Sequence, residues 1–184
     1  MFERFTPDAR FAVVDAQRLA LEMGSLEIEP LHLLAELVRS GDSDTSRLLA
    51  RLGVSRDDIA GELDRFRRRG GITDTDAEAL TELGIDVEQI VERIEQAHGP
   101  GALAGPGQGR ARRGKRSHLP FATATKKVIE GSIRQAMENG DKVLGQDHLL
   151  LALAAQQGVA ADLLARHGAD YLTLRRAMRE REAG

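Results

Sequence analysis

The chain has 184 residues, of which 41% are apolar and 30% charged, with a formal net charge of −3 and neither cysteine nor tryptophan. The missing cysteine excludes disulfides, thiolate catalysis and cysteine-ligated zinc, and the small negative charge provides no overall attraction to nucleic acid or to an anionic membrane. The N-terminus carries charges from its third residue and lacks the apolar run of a secretory signal, and no stretch approaches the roughly 18 apolar residues of a membrane span. We therefore expect a cytoplasmic globular protein.

The first half of the chain is predicted to form four helices. Thr6, Pro7 and Asp8 provide a capping hydroxyl, a proline at the first helical position and an acid in the first turn, so the first helix begins there. Gly24 provides a left-handed end for this helix. Ser55, with an acid three residues later, is typical of the capping box that begins a helix. The other three helices are predicted at 30–40, 44–51 and 56–66.

One stretch of the sequence occurs twice. Residues 24–37 read GSLEIEPLHLLAEL and residues 140–153 read GDKVLGQDHLLLAL, so His-Leu-Leu follows a glycine by eight positions in both. The two copies are 116 positions apart, and the same separation relates Phe5 to Phe121; it falls to 115 between Gly53 and Gly168. A constant separation over a whole segment indicates that one supersecondary unit is used twice. The second set of helices is predicted at 123–138, 146–157, 160–166 and 170–182.

These patterns predict an all-α protein made of two repeated four-helix units, residues 1–66 and 119–184, packed as one bundle. Units of about 60 residues are marginally stable alone, so we expect them to pack on each other. Residues 67–97 are predicted to be a helical insertion. Asp86 would cap a helix carrying Ile90, Val91 and Ile94, and this helical pair is expected to pack on the first unit.

Residues 98–118 read HGPGALAGPGQGRARRGKRSH and are predicted to be a flexible linker, because they are rich in glycine and lack a large apolar run. The segment also has basic residues with no acid among them. Two interpretations remain open: a solvated hinge, or a contact with nucleic acid or an acidic partner. The basic residues are Arg110, Arg112, Arg113, Lys115 and Arg116.

The sequence has no motif that supports catalysis. The phosphate loop GxxxxGK[ST], the nucleophile elbow GxSxG and the zinc motif HExxH are all missing, which favours a non-enzymatic protein without a cofactor. His32 and His148 lie in the first turn of matching helices, and we predict a structural role for both, in which they bond to the neighbouring backbone or stack between helices. A metal site would need further ligands, and His98, His118 and His167 lack ligand spacing.

Four stretches resemble the N-terminal domain of Clp ATPases of the ClpC type: 1–10 (MFERFTPDAR), 24–37, 118–136 (HLPFATATKKVIEGSIRQA) and 145–153 (GQDHLLLAL). In that family the domain is a pseudo-twofold helical bundle that receives substrates and adaptor proteins for an unfoldase ring. The resemblance implies a peptide-binding or protein-binding module that acts as an adaptor, regulator or decoy in Clp-dependent proteolysis. Because the ATPase modules of the family are missing from these residues, a free-standing domain is expected.

The resemblance also implies a peptide-binding surface where the two units meet. In ClpC-type domains of actinobacteria this surface accepts cyclic peptide antibiotics. The matching residues here are Phe2, Val14, Phe121, Lys126 and Glu130, which would form an apolar floor with a cation and a carboxylate at the rim. The alternative is that Phe2 and Phe121 only pack between the units.

A second implied site concerns the acid that precedes the histidine of each repeat. In the family this acid pairs with the guanidinium of phosphoarginine. Asp147 keeps an acid in the second unit, whereas Leu31, after Pro30, replaces it in the first. Phosphoarginine binding is therefore predicted only for Asp147.

Overall fold

The structure, a computed structural model, describes residues 3–104 and 118–182. Within these residues the chain forms ten α-helices and two isolated β-bridges, which confirms the predicted all-α class. Phe2 and residues 105–117, which include the basic part of the predicted linker, lie outside the described residues. The helices are α1 (Pro7–Glu22), α2 (Pro30–Arg39), α3 (Asp44–Arg51), α4 (Arg56–Arg68), α5 (Asp74–Glu82), α6 (Val87–His98), α7 (Thr123–Asn139), α8 (Gln146–Ala155), α9 (Val159–Arg166) and α10 (Tyr171–Glu182).

The predicted helix starts are confirmed by the capping hydrogen bonds. The hydroxyl of Thr6 accepts a bond of 3.2 Å from the backbone N–H of Ala9. Ser55 and Asp58 form the reciprocal capping box at the start of α4, with bonds of 3.1 and 3.0 Å. Asp86 caps α6. Each cap satisfies amide groups that have no partner inside the helix, so short local motifs determine where these helices begin.

The repeated glycines end matching helices in the two units. Gly24 follows α1 with φ 68°, and Gly140 follows α7 with φ 79°. Residues with a side chain avoid this left-handed region, whereas glycine enters it at little cost. The chain therefore turns at the same place in both copies and leads into the segment before α2 or α8.

The two units share one continuous hydrophobic core. In the first unit α2 packs on α1, α3 and α4, and in the second α8 packs on α7, α9 and α10. The central helices also cross the boundary, because α2 contacts α7, α8 and α9 while α8 contacts α1 and α3. The expectation that the units pack on each other is confirmed.

Two short β-bridges connect the units in a symmetric exchange. Phe5, before α1, pairs in parallel with Leu144, before α8; Phe121, before α7, pairs in parallel with Ile28, before α2. The repeat relates Phe5 to Phe121 and Ile28 to Leu144, so each unit provides the same two segments to the other. Both bridges have the same pair of backbone hydrogen bonds, with lengths from 2.7 to 3.2 Å.

The helical insertion contacts both units. Arg68, the last residue of α4 and two residues beyond the predicted end of the first unit, forms an ion pair of 2.7 Å with Glu95 of α6, so α6 lies against the end of α4. Asp74 of α5 also forms an ion pair of 3.0 Å with Arg166 of α9, a contact with the second unit that the sequence did not indicate.

The apolar residues of α6 differ in burial. Ile90 is 45% exposed, whereas Val91 is 1% and Val87 is 5% exposed. Val87 and Val91 are four positions apart and lie on one face of α6, while Ile90 is rotated by about 100° from Val91. A helix that packs along so narrow a strip leaves its neighbouring apolar residues in solvent.

No single helix within 3–104 and 118–182 is long and apolar enough to cross a membrane. The helices α8 and α9 reach the required length and composition only as a pair, and they are bent by 97° relative to each other. Their leucines lie in the core described above.

Candidate functional site

The two repeated histidines stabilise the helix starts. The Nδ1 atom of His32 accepts a hydrogen bond of 2.9 Å from the backbone N–H of Glu29, and Nδ1 of His148 accepts one of 3.1 Å from Gly145. In the neutral ring the proton is then on Nε2, which lies 3.1 Å from Ser25 in the first unit and 3.0 Å from Asp141 in the second. The predicted structural role of both histidines is confirmed.

The electrostatic environment of His32 favours its neutral form. Burial, with a further contribution from the positive charge of Arg67, lowers the pKa of His32 to about 4. Within the described ranges, no group of three or more His, Asp or Glu side chains is arranged to hold a metal ion. Of the other histidines, His118 bonds to Gln17 at 3.1 Å and His167 lies 3.7 Å from Asp58.

The residues predicted to form a peptide-binding surface lie on α1, on α7 and in the segment before α7. Val14 is 60% exposed on α1. Lys126 and Glu130 are exposed one turn apart on α7. Phe121 is only half-buried, and it packs against the hydrophobic core next to its bridge with Ile28. Phe2, the fifth predicted residue, is outside the described part of the chain.

A hydrogen bond brings two of these elements together. The amide Nε2 of Gln17 lies 3.1 Å from Nδ1 of His118. Gln17 is one turn after Val14 on α1, and His118 precedes Phe121 by three residues. The outer face of α1 is therefore joined to the segment that leads into α7, while the grouping of all five predicted residues stays a prediction.

Asp147, the acid predicted to bind phosphoarginine, already binds a guanidinium from its own chain. Its carboxylate accepts hydrogen bonds from the hydroxyl of Thr45 and from the guanidinium of Arg181. Arg181 also lies 3.7 Å from Asp44 of α3, so its guanidinium lies between two carboxylates. The site is chemically suited to a guanidinium, and Arg181 fills it.

Leu31, the counterpart of Asp147, has a different environment. It is 2% exposed and lines a cavity of about 200 Å³ between the two units, together with Phe66 of α4 and Val128 of α7. Glu29 lies at the edge of this cavity, and burial, followed by the negative charge of Glu27, raises its pKa. The sequence indicated only that an acid was lost at Leu31. The repeat separation of 115 positions matches Phe66 with Arg181. The sequence therefore holds a signal that both the acid and its cationic partner are replaced by apolar residues in the first unit.

Comparisons with known proteins agree with this architecture. A family model described as the Clp repeat (R) N-terminal domain matches residues 4–98, 70–165 and 120–183. The chaperone protein ClpC1, chloroplastic, of Arabidopsis thaliana is 27% identical over 176 residues, which are 95% of this chain and 14% of that protein. The crystal structure of the N-terminal domain of ClpD from Arabidopsis thaliana has a TM-score of 0.55 at 20% identity, covering 100% of this chain and 97% of that one. The Hsp104 N-terminal domain from Candida albicans has a TM-score of 0.54 at 19% identity, covering 94% of this chain and 87% of that one.

The solved structures share the fold of this chain, and the chain spans about 14% of the length of ClpC1. In Clp ATPases this domain is non-catalytic and binds substrates and adaptors. The family matches extend over both repeated units and the insertion between them. With its two exchanged β-bridges and its doubled histidine motif, the chain belongs to the Clp repeat N-terminal domain family.

Proposed function

We propose that this chain is a non-enzymatic polypeptide-binding module that acts on the Clp proteolytic machinery as an adaptor, regulator or decoy. The observation that carries the proposal is the match of the Clp repeat domain over both units, because this domain binds substrates and adaptors in Clp ATPases. Its partners would be Clp components, their substrates or their adaptors. The cytoplasmic location expected from the sequence stays a prediction.

An exposed apolar face on α1 supports the proposal. Phe11 is 65% exposed and Val14 is 60% exposed, and they lie one turn apart on the same helix. Exposed aromatic and aliphatic groups next to charged ones are typical of peptide-binding surfaces. Lys126 and Glu130 would orient a peptide at the rim. The buried residues of α1, among them Ala12 and Ala16, lie on the opposite side of the helix.

The proposed polypeptide binding can be tested with fluorescently labelled β-casein, a protein with little fixed structure. Anisotropy should rise saturably with wild-type protein, and Val14→Asp should weaken the binding by placing a charge on the apolar face. Leu172→Asp is the matched control, because Leu172 is 70% exposed on α10 and lies outside the predicted surface. No anisotropy change with wild-type protein would refute polypeptide binding.

The proposed action on Clp-dependent proteolysis needs a separate experiment. Adding the chain to a ClpC and ClpP degradation assay should change the rate at which a labelled substrate is consumed. A decoy would slow degradation by occupying substrate, and an adaptor would accelerate it. A rate that does not change over a wide range of added protein would contradict all three roles.

Binding of cyclic peptide antibiotics is the most specific form of this proposal. Isothermal titration of the wild-type protein with a ClpC-binding cyclic peptide should release heat, and Phe2→Ala and Phe121→Ala should reduce the affinity. Phe121 already packs against the core, so the thermal stability of Phe121→Ala must be measured beside its affinity. Heat no greater than the buffer blank would reject this site.

The nucleic-acid alternative stays a prediction, because residues 110–116 lie outside the described residues. It requires that the protein retards a nucleic-acid duplex in a gel and that this binding weakens steeply with salt, since phosphate contacts release counterions. Neutralising the five basic residues should abolish it. Retardation that is absent or insensitive to salt would dispose of this alternative.

A further inference from the structure

A cavity of about 200 Å³ lies between the two units. Its floor is formed by Leu31 of α2, Val128 of α7 and Leu153 of α8, none of which is more than 2% exposed, together with Ala160 of α9, which is 4% exposed. These four side chains carry no polar atom. Such a floor has no partner for a charged or hydrogen-bonding group of a ligand. It stabilises an apolar group of a ligand, because that group's surface is removed from water.

The cavity opens to solvent at its rim. Phe66 and Val159 are half-buried there, and Ala124 is exposed. Gln156 and Gln157 also line the cavity, and Gln157 is exposed. A ligand can therefore enter without displacing a core residue.

The second unit shows what has changed in the first. The internal repeat matches three cavity residues with Asp147, Arg181 and Thr45, of which Asp147 accepts hydrogen bonds from the other two. Thr45 belongs to α3 of the first unit and Ala160 to α9 of the second, so each copy combines residues of both units. The three cavity residues are apolar, so neither the hydroxyl bond nor the ion pair can form there. The matched pairs are Leu31 with Asp147, Phe66 with Arg181 and Ala160 with Thr45.

The two copies of this place in the fold therefore have opposite properties. Around Asp147, a hydroxyl and a guanidinium bind the carboxylate. Around Leu31, the three matched positions have no polar side-chain atom, and the polar side chains Glu29, Thr73, Gln156 and Gln157 line other parts of the cavity. Glu29 at the edge is the single ionisable side chain that lines the cavity among the described residues, and burial with the nearby Glu27 raises the pKa of its carboxyl group.

We propose that this cavity binds one uncharged, apolar side chain, of the size of leucine or phenylalanine, from a bound polypeptide. The size fits, because a cavity of roughly 150 Å³ lined by aliphatic and aromatic side chains holds a benzene molecule. The identification of the ligand as a polypeptide rests on the proposed function. The cavity adds a preference for an apolar residue in that polypeptide, separate from the exposed face of α1.

Methyl NMR can test the cavity directly. Protein with labelled Leu, Val, Ile and Ala methyl groups would be titrated with N-acetyl-phenylalaninamide and N-acetyl-leucinamide, with N-acetyl-glutaminamide as the polar probe. The apolar probes should shift the methyl resonances of Leu31, Val128, Leu153 and Ala160 saturably, and the polar probe should not. The proposal is overturned if no saturable shift occurs, or if the largest shifts are those of Val14.

A variant that recreates the polar cluster provides the second test. Leu31→Asp combined with Phe66→Arg imitates the second unit and should remove the saturable shifts at Val128 and Leu153, whereas the control Leu172→Asp should keep them. Circular dichroism checks that each variant is folded. If the double variant unfolds, Val159→Phe replaces it, because a larger side chain on the half-buried rim should narrow the entrance and weaken binding of the probes. Unchanged shifts in a folded cavity variant would overturn the proposal.

The same proteins, titrated with labelled β-casein, separate this proposal from the proposed function. The proposal is supported if the wild type binds β-casein and the cavity variant binds it more weakly. If wild type and cavity variant bind β-casein equally, the cavity takes no part and the proposal fails while polypeptide binding stands. If the apolar probes occupy the cavity but β-casein does not bind, the assignment to a polypeptide is overturned.

Discussion

Asp147 of α8 accepts a hydrogen bond from Arg181 of α10, and the internal repeat matches this ion pair with Leu31 and Phe66 in the first unit. The same position in the fold thus has an ion pair in one copy and two apolar side chains in the other. Both side chains of the ion pair are about one-third exposed, at 33% and 31%, so the pair can open without unfolding the domain.

The first prediction concerns phosphoarginine binding at Asp147. Arg181→Ala should increase the affinity for free phosphoarginine by about tenfold, or ~1.4 kcal/mol, because the ligand no longer competes with a guanidinium of the chain. Isothermal titration of both proteins measures the difference. Arg18→Ala is the control, since Arg18 pairs with Asp15 on α1. Equal affinities for wild type and Arg181→Ala would show that Asp147 does not bind this ligand.

The second prediction concerns the pH dependence of stability. The folded-state pKa of His32 is about 4, below its ordinary value of 6.5, so at intermediate pH the unfolded chain binds a proton that the folded chain does not. The contribution of His32 to the free energy of unfolding is complete above pH 6.5 and is lost as the pH falls toward 4. The loss amounts to about 3 kcal/mol of the free energy of unfolding.

Urea unfolding at several pH values checks this prediction. Wild-type protein should lose stability between pH 6.5 and 4, and His32→Asn should lose less over the same interval. His98→Asn is the matched control, because His98 is exposed at the end of α6. If His32→Asn and wild type lose stability in parallel, the titration of His32 is not responsible.

The third prediction concerns the charged contact between the units. Glu62 of α4 is 2% exposed and binds both Arg65 and Arg166, the second of which comes from α9. Arg166→Ala should reduce the free energy of unfolding by about 2 kcal/mol, because a buried carboxylate keeps only one of its two cations.

An exposed ion pair is the comparison for this variant. Arg47 and Asp44 are 61% and 55% exposed, so Arg47→Ala should lower the free energy of unfolding much less than Arg166→Ala does. Thermal or urea unfolding of the two variants gives both values. Equal losses in the two variants would mean that burial of Glu62 does not strengthen its interaction with Arg166.

The fourth prediction concerns the bridge between Ile28 and the second unit. The backbone carbonyl of Ile28 accepts bonds from the N–H of Ala122 at 3.2 Å and from the hydroxyl of Thr125 at 2.6 Å. Thr125→Val keeps the shape of this buried residue but removes the hydroxyl. The free energy of unfolding should fall by about 1 kcal/mol.

Thr81→Val is the matched control for this change, because the exposed Thr81 bonds to a carbonyl within its own helix at 2.8 Å. Its effect on the urea midpoint should be smaller, since water can replace the lost hydroxyl bond. A larger effect at Thr81 than at Thr125 would contradict a role for the hydroxyl in joining the units.

The helix starts and the internal repeat were readable from the sequence because they depend on neighbours in the chain. A cap such as Thr6 or Ser55 acts on amide groups three residues away, and a glycine such as Gly24 permits a turn through its own backbone. The His-Leu-Leu motif likewise marked the start of a buried helix in both copies. Its two histidines bond to the backbone three residues earlier, which is again a local contact.

Other features needed contacts between residues distant in sequence. Ile90 fits a helical apolar pattern and is nevertheless 45% exposed, because the packing of α6 covers only the strip formed by Val87 and Val91. The occupation of Asp147 by Arg181 joins residues 34 positions apart, and its bond from Thr45 joins residues 102 positions apart. No local pattern specifies such partners.

Periodicity, caps and motif spacing were enough to predict the fold class, the duplication and the family. The environment of the residue before each histidine depends instead on contacts between residues that are far apart in the sequence. Leu31 lines a cavity with the apolar side chains of Phe66 and Ala160. Asp147 is paired with Arg181 and accepts a hydrogen bond from Thr45. The partners come from other helices, and in each unit one of them comes from the opposite unit, so only the folded arrangement of both units brings them together.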